Sequence, residues 1–460
     1  MSDHLEQLLA NVLNTSYENF DRESVERAKH RIIDVLGCAM GGLNAYGNLA
    51  LIELVKGWGG KKEASILLDG AMAPAQNVAM VNSVLARSYD FEATQARVED
   101  VNLASHISGT TIPTALALGE ALNISGKELL TAIIVGDDAA CRILAASGFG
   151  FSLGWDNVGT INALGATAIA GRLLGLSLKQ LHNAFGIVLN QLAGTFEAIW
   201  DGATTFKLVQ GLSARNGIFS AELAKIGWTG PNDVLFGKFG YFTLYTEGCT
   251  DPEILIRGLG KNYYSEVTYK PYPGCRINHT AVDCAINFVK EYDLDFEQAE
   301  KITLKVPVLA VETFVGQPFA AREVPQIDAG FNVRFSVANA LLRKNLSVEH
   351  LTEEAVRDPR ITNITQKIEL AELDSSEMKT SKAILKVRMN DGKEYMSSAA
   401  FPKGDPVLAP LSYKEIKQKF MHNLSFTQKI SAAQGEKIIS LVESFDKVAK
   451  VSDLTRQIIS

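Results

Sequence analysis

The sequence is poor in cysteine, and the few that it has are scattered. Its 460 residues include only Cys38, Cys141, Cys249, Cys275 and Cys284, with no Cys-x-x-Cys pair. An odd number of dispersed cysteines is typical of reduced thiols, and it disfavours a disulfide framework. An aconitase-like iron–sulfur cluster is disfavoured for the same reason.

Long apolar runs and clusters of positive charge are also lacking. The first residues, MSDHLEQLLANVL, have neither the basic region nor the long apolar stretch of a secretory signal, and later apolar runs such as 129–135 are short. We therefore expect a cytoplasmic protein without a membrane partner. A net charge of −7 and the lack of a basic run argue against nucleic acid as a partner.

What the sequence does have is a change of hydrophobic periodicity along the chain. Residues 1–265 form successive patterns rich in Ala, Leu and Gly, which predict a large all-helical domain. In residues 266–400 the alternation of Ile302, Leu304 and Val306, and a strand–turn–strand pattern around Asp391-Gly392, predict a smaller α+β domain. Helical patterns return in residues 401–460, which we expect to pack back on the first domain. The predicted fold class is mostly α.

The stretch YKPYPGCRINH, residues 269–279, places three basic side chains just before an apolar helical pattern. Asn278 can cap that helix, so His279 is expected in its first turn. The helix N-terminus and the cations Lys270 and Arg276 should keep His279 neutral and attract an anion. A metal site at Cys275 and His279 would need two further ligands, and a plain solvated loop is the other alternative.

Two further stretches in the first domain carry candidate acid/base groups. In LARSYDFEAT, Asp90 follows a helical pattern, and the helix C-terminus should raise the pKa of its carboxyl group. Glu92 supplies a second carboxylate nearby. In ASHISGTT, His106 precedes hydroxyl side chains and the start of a helix, where an oxyanion can bind. Asp90 and Glu92 can instead be helix-end residues that face water, and His106 can be a merely structural residue in a loop.

Lys207 lies within a helical pattern of small residues, WDGATTFKLVQGLSARNG. A lysine in such surroundings can be partly buried and require an anion, or it can pair with Asp201. Gly211 and Gly217 weaken this helix by propensity, so close helix packing is a competing explanation for the small residues.

In this order, the Asp-Phe-acid-x-Thr element, the His-x-Ser loop, the lysine helix and the Lys-x-Tyr-Pro-x-Cys-x-x-x-His element resemble those of the MmgE/PrpD family. The resemblance covers essentially the whole chain. It implies a lid-like α+β domain, a homodimer, and a cofactor-independent site for a small anionic di- or tricarboxylate between the domains. It carries the following residues to that site: Asp90, Thr94, His106, Lys207, Lys270 and His279.

The chain departs from the family pattern at three places. The segment GWDNVGT has Asp156 where the family usually has an active-site histidine, and RFSVANAL has Asn339 in place of a tyrosine proposed to contact substrate. We expect Asp156, Asn339 and Arg276 to contact substrate. The inserted residues QARVEDVNLA lengthen the gap between Asp90 and His106, and can reshape the pocket entrance.

The resemblance implies removal of hydrogen from a carbon next to a carboxylate, with Lys207 and Lys270 holding carboxylates and Asp90 or His106 as the base. His279 or His106 would act as the acid. The first hypothesis is a dehydratase of a 2-methylcitrate-like hydroxy acid. An epimerase or isomerase of a dicarboxylate such as iminodisuccinate, a cis-aconitate-type decarboxylase, and a non-catalytic polycarboxylate-binding paralogue are the alternatives.

Overall fold

The structure, a computed structural model, describes residues 2–147, 151–374 and 381–459. Helices dominate the chain up to residue 225, are interleaved with strands in the middle, and return at the C-terminal end. In chain order they are α1 (Ser2–Asn14), α2 (Arg22–Gly42), α3 (Asn48–Trp58), α4 (Ala75–Arg87), α5 (Ser108–Ala121), α6 (Gly126–Ser147), α7 (Ile161–Leu173), α8 (Leu178–Leu189), α9 (Glu197–Trp200), α10 (Thr205–Lys225), α11 (Tyr241–Leu244), α12 (His279–Glu291), α13 (Val308–Glu312), α14 (Pro325–Gly330), α15 (Val333–Arg343), α16 (Glu353–Val356), α17 (Pro359–Lys367), α18 (Tyr413–Thr427), α19 (Ala432–Glu443) and α20 (Ser452–Thr455).

The strands form one sheet in the second domain and two small sheets in the first part of the chain. They are β1 (Ala64–Ser65), β2 (Met72–Ala73), β3 (Thr94–Val98), β4 (Val101–Leu103), β5 (Glu266–Thr268), β6 (Ala299–Val306), β7 (Ile368–Glu372), β8 (Ala383–Met389) and β9 (Glu394–Ala399). The larger sheet has the order β7-β6-β8-β9, with β6 and β7 parallel and the other pairs antiparallel. The mostly helical fold with a smaller α+β domain is thus confirmed.

The first domain is a bundle whose helices approach closely at glycines. A Cβ on Gly211 of α10 would lie 2.7 Å from the carbonyl oxygen of Met80 on α4, and one on Gly217 would lie 2.5 Å from Ala166 on α7. Close packing therefore explains why α10 tolerates glycines that weaken it by propensity. Among the described residues, no helix is long and apolar enough to cross a membrane.

The C-terminal helices complete the core of the first domain. Ile416, Phe420 and Leu424 of α18 are buried in the same apolar cluster as the inward face of α2. The contact is tight, since a Cβ on Gly37 of α2 would lie 2.9 Å from the Cα of Phe420. The chain thus returns to its first domain after building the second.

The second domain packs α12 against β8 and β9 of the larger sheet, and α15 packs in turn on α12 and α17. The predicted strand alternation is confirmed, because Ile302, Leu304 and Val306 of β6 are all buried. The predicted hairpin is also found as β8 and β9. His279 begins α12 as expected and Asn278 occupies the N-cap position, but the Asn278 side chain accepts no hydrogen bond from the first turn, because its backbone is already helical. Its Nδ2 donates to Ser336 Oγ at 3.2 Å.

The inserted stretch after Asp90 is a hairpin, so the first domain is not purely helical. Strands β3 and β4 pair antiparallel, and β3 also pairs with β5 just ahead of Lys270. Thr94 stands opposite Thr268 in that sheet. The hairpin therefore joins the loop of Asp90 to the segment that leads into the second domain.

Candidate active site

A cavity of about 600 Å³ lies where the first domain, the β3–β4 hairpin and the second domain meet. It brings together five residues predicted for the site. These are Asp90, Thr94, His106, Asp156 and Arg276. The hairpin also contributes to the wall, through Gln95 and Asn102.

Asp90 lies on the tight turn that follows α4. Its backbone has a φ of 46°, a left-handed conformation that aspartate tolerates better than most residues, and its N–H donates to the Arg87 carbonyl at 2.9 Å. Lys270 Nζ donates to Asp90 Oδ1 at 2.9 Å and to its carbonyl oxygen at 2.6 Å. Arg87 Nη1 donates to the same Oδ1. Two cations thus fix this carboxylate.

The predicted raised pKa of Asp90 is wrong. Burial alone would raise the pKa, but the positive charges of Lys270 and Arg87 outweigh it and lower the pKa below its ordinary value. The helix-end argument fails because α4 ends at Arg87, three residues earlier, and because both cations lie in direct contact. Asp90 is therefore an ionised, firmly held anion.

His106 is the group in this cluster with a basic lone pair. Its Nδ1 lies 3.0 Å from Arg87 Nη1 and 3.1 Å from Glu92 Oε1, and Arg87 Nη1 lies 3.1 Å from that same Oε1. Asp90 and Glu92 accept the two hydrogens of Arg87 Nη1, so Arg87 Nη1 has none left to donate to His106 Nδ1. Nδ1 therefore carries a proton and donates it to Glu92. Glu92 is completely buried. This assignment leaves Nε2 of His106 as an acceptor.

The surroundings of His106 Nε2 keep it available. It lies 3.4 Å from Thr94 Oγ1, which donates its hydrogen to the Ser105 carbonyl at 2.8 Å, and 3.6 Å from Asp90 Oδ1. Burial, Arg87 and Lys270 together lower the pKa of His106 below its ordinary value, against the opposing effect of the two carboxylates. His106 is thus a neutral imidazole at the cavity wall, suited to accept a proton.

Asp156 is a buried carboxyl group at the same cavity. It caps a short 3-10 turn, accepting from the Val158 N–H at 3.0 Å, and its own N–H donates to the Gly194 carbonyl at 3.1 Å. Burial raises the pKa of Asp156, and Arg87 offsets only part of this effect. Asp156 is therefore biased toward the protonated form, which can donate a proton.

Arg276 lies at the opposite, second-domain side of the cavity. Its Nη1 donates to the Lys403 carbonyl at 2.6 Å and lies 3.1 Å from His279 Nδ1. Burial lowers the pKa of Arg276 to about 10, which leaves it positively charged at neutral pH. It is a cation that an anionic ligand in the cavity can approach.

Four predicted site residues lie behind the wall or away from it. Lys270 directs its ammonium group to Asp90 and to the Gly274 carbonyl. His279 is buried behind Arg276, and burial together with Arg276 lowers its pKa well below the ordinary value, which agrees with the expected neutral form. Neither belongs to the cavity lining formed by the described residues.

Lys207 and Asn339 likewise lie outside the cavity lining formed by the described residues. Lys207 Nζ donates to the Tyr46 carbonyl at 2.6 Å and to Asn48 Oδ1 at 2.8 Å, so the suggested pairing with Asp201 does not form. Asn339 faces the interior of the second domain, where its amide donates to the Asn345 carbonyl at 2.7 Å. The structure therefore does not bring Asn339 to the cavity, because α15 turns that residue toward the loop after it.

Arg87 is the residue that the sequence interpretation missed. Its guanidinium contacts Asp90, Glu92 and His106, and it is almost entirely buried. The spacing of three residues between Arg87 and Asp90 was a usable signal, since such pairs face each other at a helix end. It was overlooked because a lone arginine in a helical pattern usually covers an exposed face.

The same cluster has the ligand types of a metal site. One ligand atom each from Asp90, Glu92 and His106 lies within 4.8 Å of the others. Arg87 contacts all three groups, and Lys270 contacts Asp90. The positive charges of Arg87 and Lys270 would repel a divalent cation here, so these donors fit a network of ion pairs better than a metal centre.

Comparison with known proteins gives the chain its relatives. The MmgE/PrpD N-terminal domain matches residues 6–252 and the MmgE/PrpD C-terminal domain matches residues 272–446. The chain is 24% identical to the cis-aconitate decarboxylase-like protein oryM of Aspergillus oryzae, across 94% of this chain and 92% of that protein. It is 23% identical to a cis-aconitate decarboxylase of Aspergillus terreus, across 96% and 93% of the two chains. It is 24% identical to the cis-aconitate decarboxylase of Mus musculus, across 94% and 88%. This chain therefore belongs to the MmgE/PrpD family.

Proposed function

We propose that this protein is a lyase that removes a proton from a carbon next to a carboxylate of a small di- or tricarboxylate, and that it dehydrates a 2-methylcitrate-like hydroxy acid. The observation that carries the proposal is the pairing of a neutral base, His106, with a carboxyl group of raised pKa, Asp156, at one cavity. Dehydration needs both a base for carbon and an acid for the departing hydroxyl.

In the proposed function, the cations of the site bind the carboxylates of the substrate. Arg87 and Arg276 line the cavity from opposite domains, and each can pair with a substrate carboxylate. A carboxylate held beside Arg87 also gains stabilisation when proton removal spreads negative charge onto it. Lys270 acts through Asp90, since its hydrogen bonds go to that residue and to Gly274.

In the proposed reaction, His106 Nε2 takes the proton from the carbon next to the carboxylate. The electron pair of that C–H bond is first held as a carbanion stabilised by the adjacent carboxylate, and it then forms the new C=C bond as the C–O bond to the neighbouring hydroxyl breaks. Asp156 gives its proton to the departing oxygen, so that water leaves and an alkene remains. The proton on His106 then returns to Asp156 through solvent, which restores the starting state.

Decarboxylation is the second candidate, because the three relatives described above are named as cis-aconitate decarboxylases or as similar to one. In that reaction Asp156 would protonate the carbon that loses carbon dioxide. Asp156 stands where the family resemblance leads us to expect a histidine, which favours dehydration over decarboxylation. The identities of 23–24% leave the reaction to be decided by experiment.

Proton NMR of the purified protein in D₂O tests the proposal directly. The panel contains 2-methylcitrate, citrate, malate, cis-aconitate, iminodisuccinate and aspartate derivatives. A new alkene signal with C–H exchange supports dehydration. Loss of carbon dioxide from cis-aconitate would instead indicate a decarboxylase. Exchange with a stereochemical change but no alkene would indicate an epimerase. Line-broadening without exchange would indicate a protein that only binds these compounds.

A further inference from the structure

The cavity has an extended apolar wall in addition to its charged one. Phe196, Phe314 and Phe331 line it, together with the aliphatic side chains of Ile199, Val306 and Leu309. Phe314 and Phe331 are nearly inaccessible to solvent, whereas Leu309 is 47% exposed. Most of this wall belongs to the second domain, and Phe196 and Ile199 come from the segment that faces it.

The three phenylalanines of this wall form a continuous row with the buried Phe206, which lies outside the cavity lining and connects them to the ionic cluster. The guanidinium of Arg87 lies 5.7 Å from the ring centre of Phe206. Ring centres then follow at 5.2 Å from Phe206 to Phe331, 5.9 Å from Phe331 to Phe314, and 6.1 Å from Phe314 to Phe196. We call these four side chains the aromatic row.

The far end of the aromatic row approaches the protein surface. Trp200, 41% exposed, packs edge-on against Phe314 with ring centres 6.1 Å apart. Leu309 follows strand β6 and is half exposed at the same side of the cavity. Ser381 and Lys382, which precede β8 beside β6, are polar members of the lining there. The row thus leads from Arg87 toward an apolar mouth with a polar rim.

The cavity is also larger than a substrate of the methylcitrate type needs. Its volume of about 600 Å³ falls within the range of about 300–1,000 Å³ that is usual for pockets that hold drug-sized ligands. A substrate composed mainly of carboxylates would be matched by the charged groups and would leave the apolar lining of the cavity, which includes the half-exposed Leu309, in contact with water. Exposed apolar surface in a cavity is stabilised when an apolar group covers it.

We propose that the natural substrate is a polycarboxylate with an apolar substituent larger than methyl, an alkyl chain or an aryl group, which lies along the aromatic row. This inference rests on the proposed function for the carboxylate end of the substrate. The carboxylates bind at Arg87 and Arg276, and the reacting carbon lies at His106. The substituent points away from the ionic cluster, past Phe331 and Phe314 toward Leu309.

Isothermal titration of the whole protein with 2-methyl-, 2-propyl- and 2-pentylsuccinate measures the contribution of the substituent. Each added methylene that reaches the aromatic row should lower Kd about fourfold, since burying it is worth about 0.8 kcal/mol. The heat-capacity change of binding should become more negative along the series. A Kd that stays constant or rises from methyl to pentyl overturns the inference.

A pair of variants locates the effect. Leu309→Ala should reduce the advantage of pentyl over methyl by about tenfold, because a half-buried leucine contact is worth about 1.4 kcal/mol. Leu54→Ala is the matched control, as Leu54 is 53% exposed on α3 and lies outside the cavity lining. Equal loss in both variants, or none in Leu309→Ala, would contradict binding along this wall.

The titration and the proposed function can fail separately. Turnover in D₂O is measured for 2-methylcitrate and for its pentyl homologue. If 2-methylcitrate is turned over but Kd does not change along the series, the inference of a larger apolar substituent is wrong and the proposed dehydratase activity stands. If Kd falls along the series but no compound shows C–H exchange, the proposed dehydratase activity is wrong. The cavity would then bind polycarboxylates and have an apolar subsite.

Discussion

Lys419 and Asp34 form a buried ion pair directly behind the loop that carries Asp90. Lys419 Nζ donates to Asp34 Oδ1 at 2.7 Å and to the Phe91 carbonyl at 2.6 Å, while Asp34 Oδ2 accepts from the Ala93 N–H at 2.8 Å. The pair therefore holds the backbone on both sides of Glu92. One partner comes from α2 and the other from α18, so the returning C-terminal helices support the site from the rear.

Lys419→Met should destabilise the protein by about 3–5 kcal/mol, because it leaves the buried carboxylate of Asp34 without its cation. Urea unfolding gives the free energy of unfolding. Adding Asp34→Asn should recover part of the loss, since no uncompensated charge then remains. Lys414→Met, at an exposed position of the same helix, is the control and should change little. A loss of the same size in Lys414→Met would disprove the role of the pair.

The pH dependence of kcat/KM should report the base. His106 must be neutral to accept a proton, and its pKa is lowered, so activity should persist below the ordinary histidine pKa and fall as pH drops through the lowered value. Arg87→Met removes a positive neighbour but leaves Glu92, so the acid limb should move up by about 1 unit or more. Arg97→Met, on β3, serves as control. An acid limb that does not move would exclude His106 as the base.

Asp156→Asn should separate the two proton transfers. Amide cannot protonate the departing hydroxyl, so alkene formation should fall by about 100-fold or more, the usual size of a general acid contribution. Exchange of the C–H proton into D₂O should continue, because His106 is untouched. NMR records both signals in one sample, with Asp201→Asn as the control. Normal alkene formation would remove Asp156 from the mechanism.

Lys270→Ala should lose most activity while remaining folded, and the family resemblance, which carries Lys207 to the site, predicts the same loss for Lys207→Ala. Lys270→Ala takes away one of the two cations that hold Asp90, and the cluster around His106 then loses its fixed geometry. Circular dichroism checks the fold, and turnover of the best substrate checks the activity. Near-normal turnover in either variant would show that the corresponding lysine is not needed by the site.

Lys207 also predicts how stability changes with pH. Burial lowers its pKa to about 7 from an ordinary value of 10.5, so above pH 7 the unfolded chain binds more protons at this residue than the folded one. The contribution of Lys207 to the free energy of unfolding should therefore rise between about pH 7 and pH 10, by up to about 1.4 kcal/mol per unit. Below pH 7 this contribution should be constant. Urea unfolding at several pH values measures it.

The matched comparison isolates Lys207 from other titrating groups. Lys207→Met should lack this rise, whereas Lys225→Met, at an exposed position of the same helix, should keep it. Parallel stability curves for the wild type and Lys207→Met would show that Lys207 titrates normally in the folded protein.

The sequence predicted best what depends on neighbours along the chain. Alternation identified β6, and the apolar stripe after Pro273 identified the start of α12 at His279. Local reasoning failed for the pKa of Asp90, since the decisive charge comes from Lys270, 180 residues away. It did not show that the amide of Asn339 bonds to the loop after α15, because a match in sequence order says nothing about which face of a helix a residue occupies.

The sequence also could not show the Arg87–Glu92–His106 arrangement. Each of these residues has an ordinary explanation in its own segment, and the β3–β4 hairpin that brings His106 back to Arg87 lies in the inserted residues, for which the sequence predicted a reshaped pocket entrance and no strands. Pairing of β3 with β5 depends on a partner strand far along the chain. Contacts of this kind become visible only once the chain is folded.

The three-stranded sheet has a consequence for how this protein can evolve. Lys270 follows β5, in the stretch between the two family domains, 6–252 and 272–446, and yet it neutralises a carboxylate of the first. A fragment with residues 6–252 alone would keep Asp90 and lack Lys270, and a fragment with residues 272–446 alone would lack both. The junction between the two halves therefore contributes to the candidate active site, and recombination before Lys270 would exchange the cation that holds Asp90.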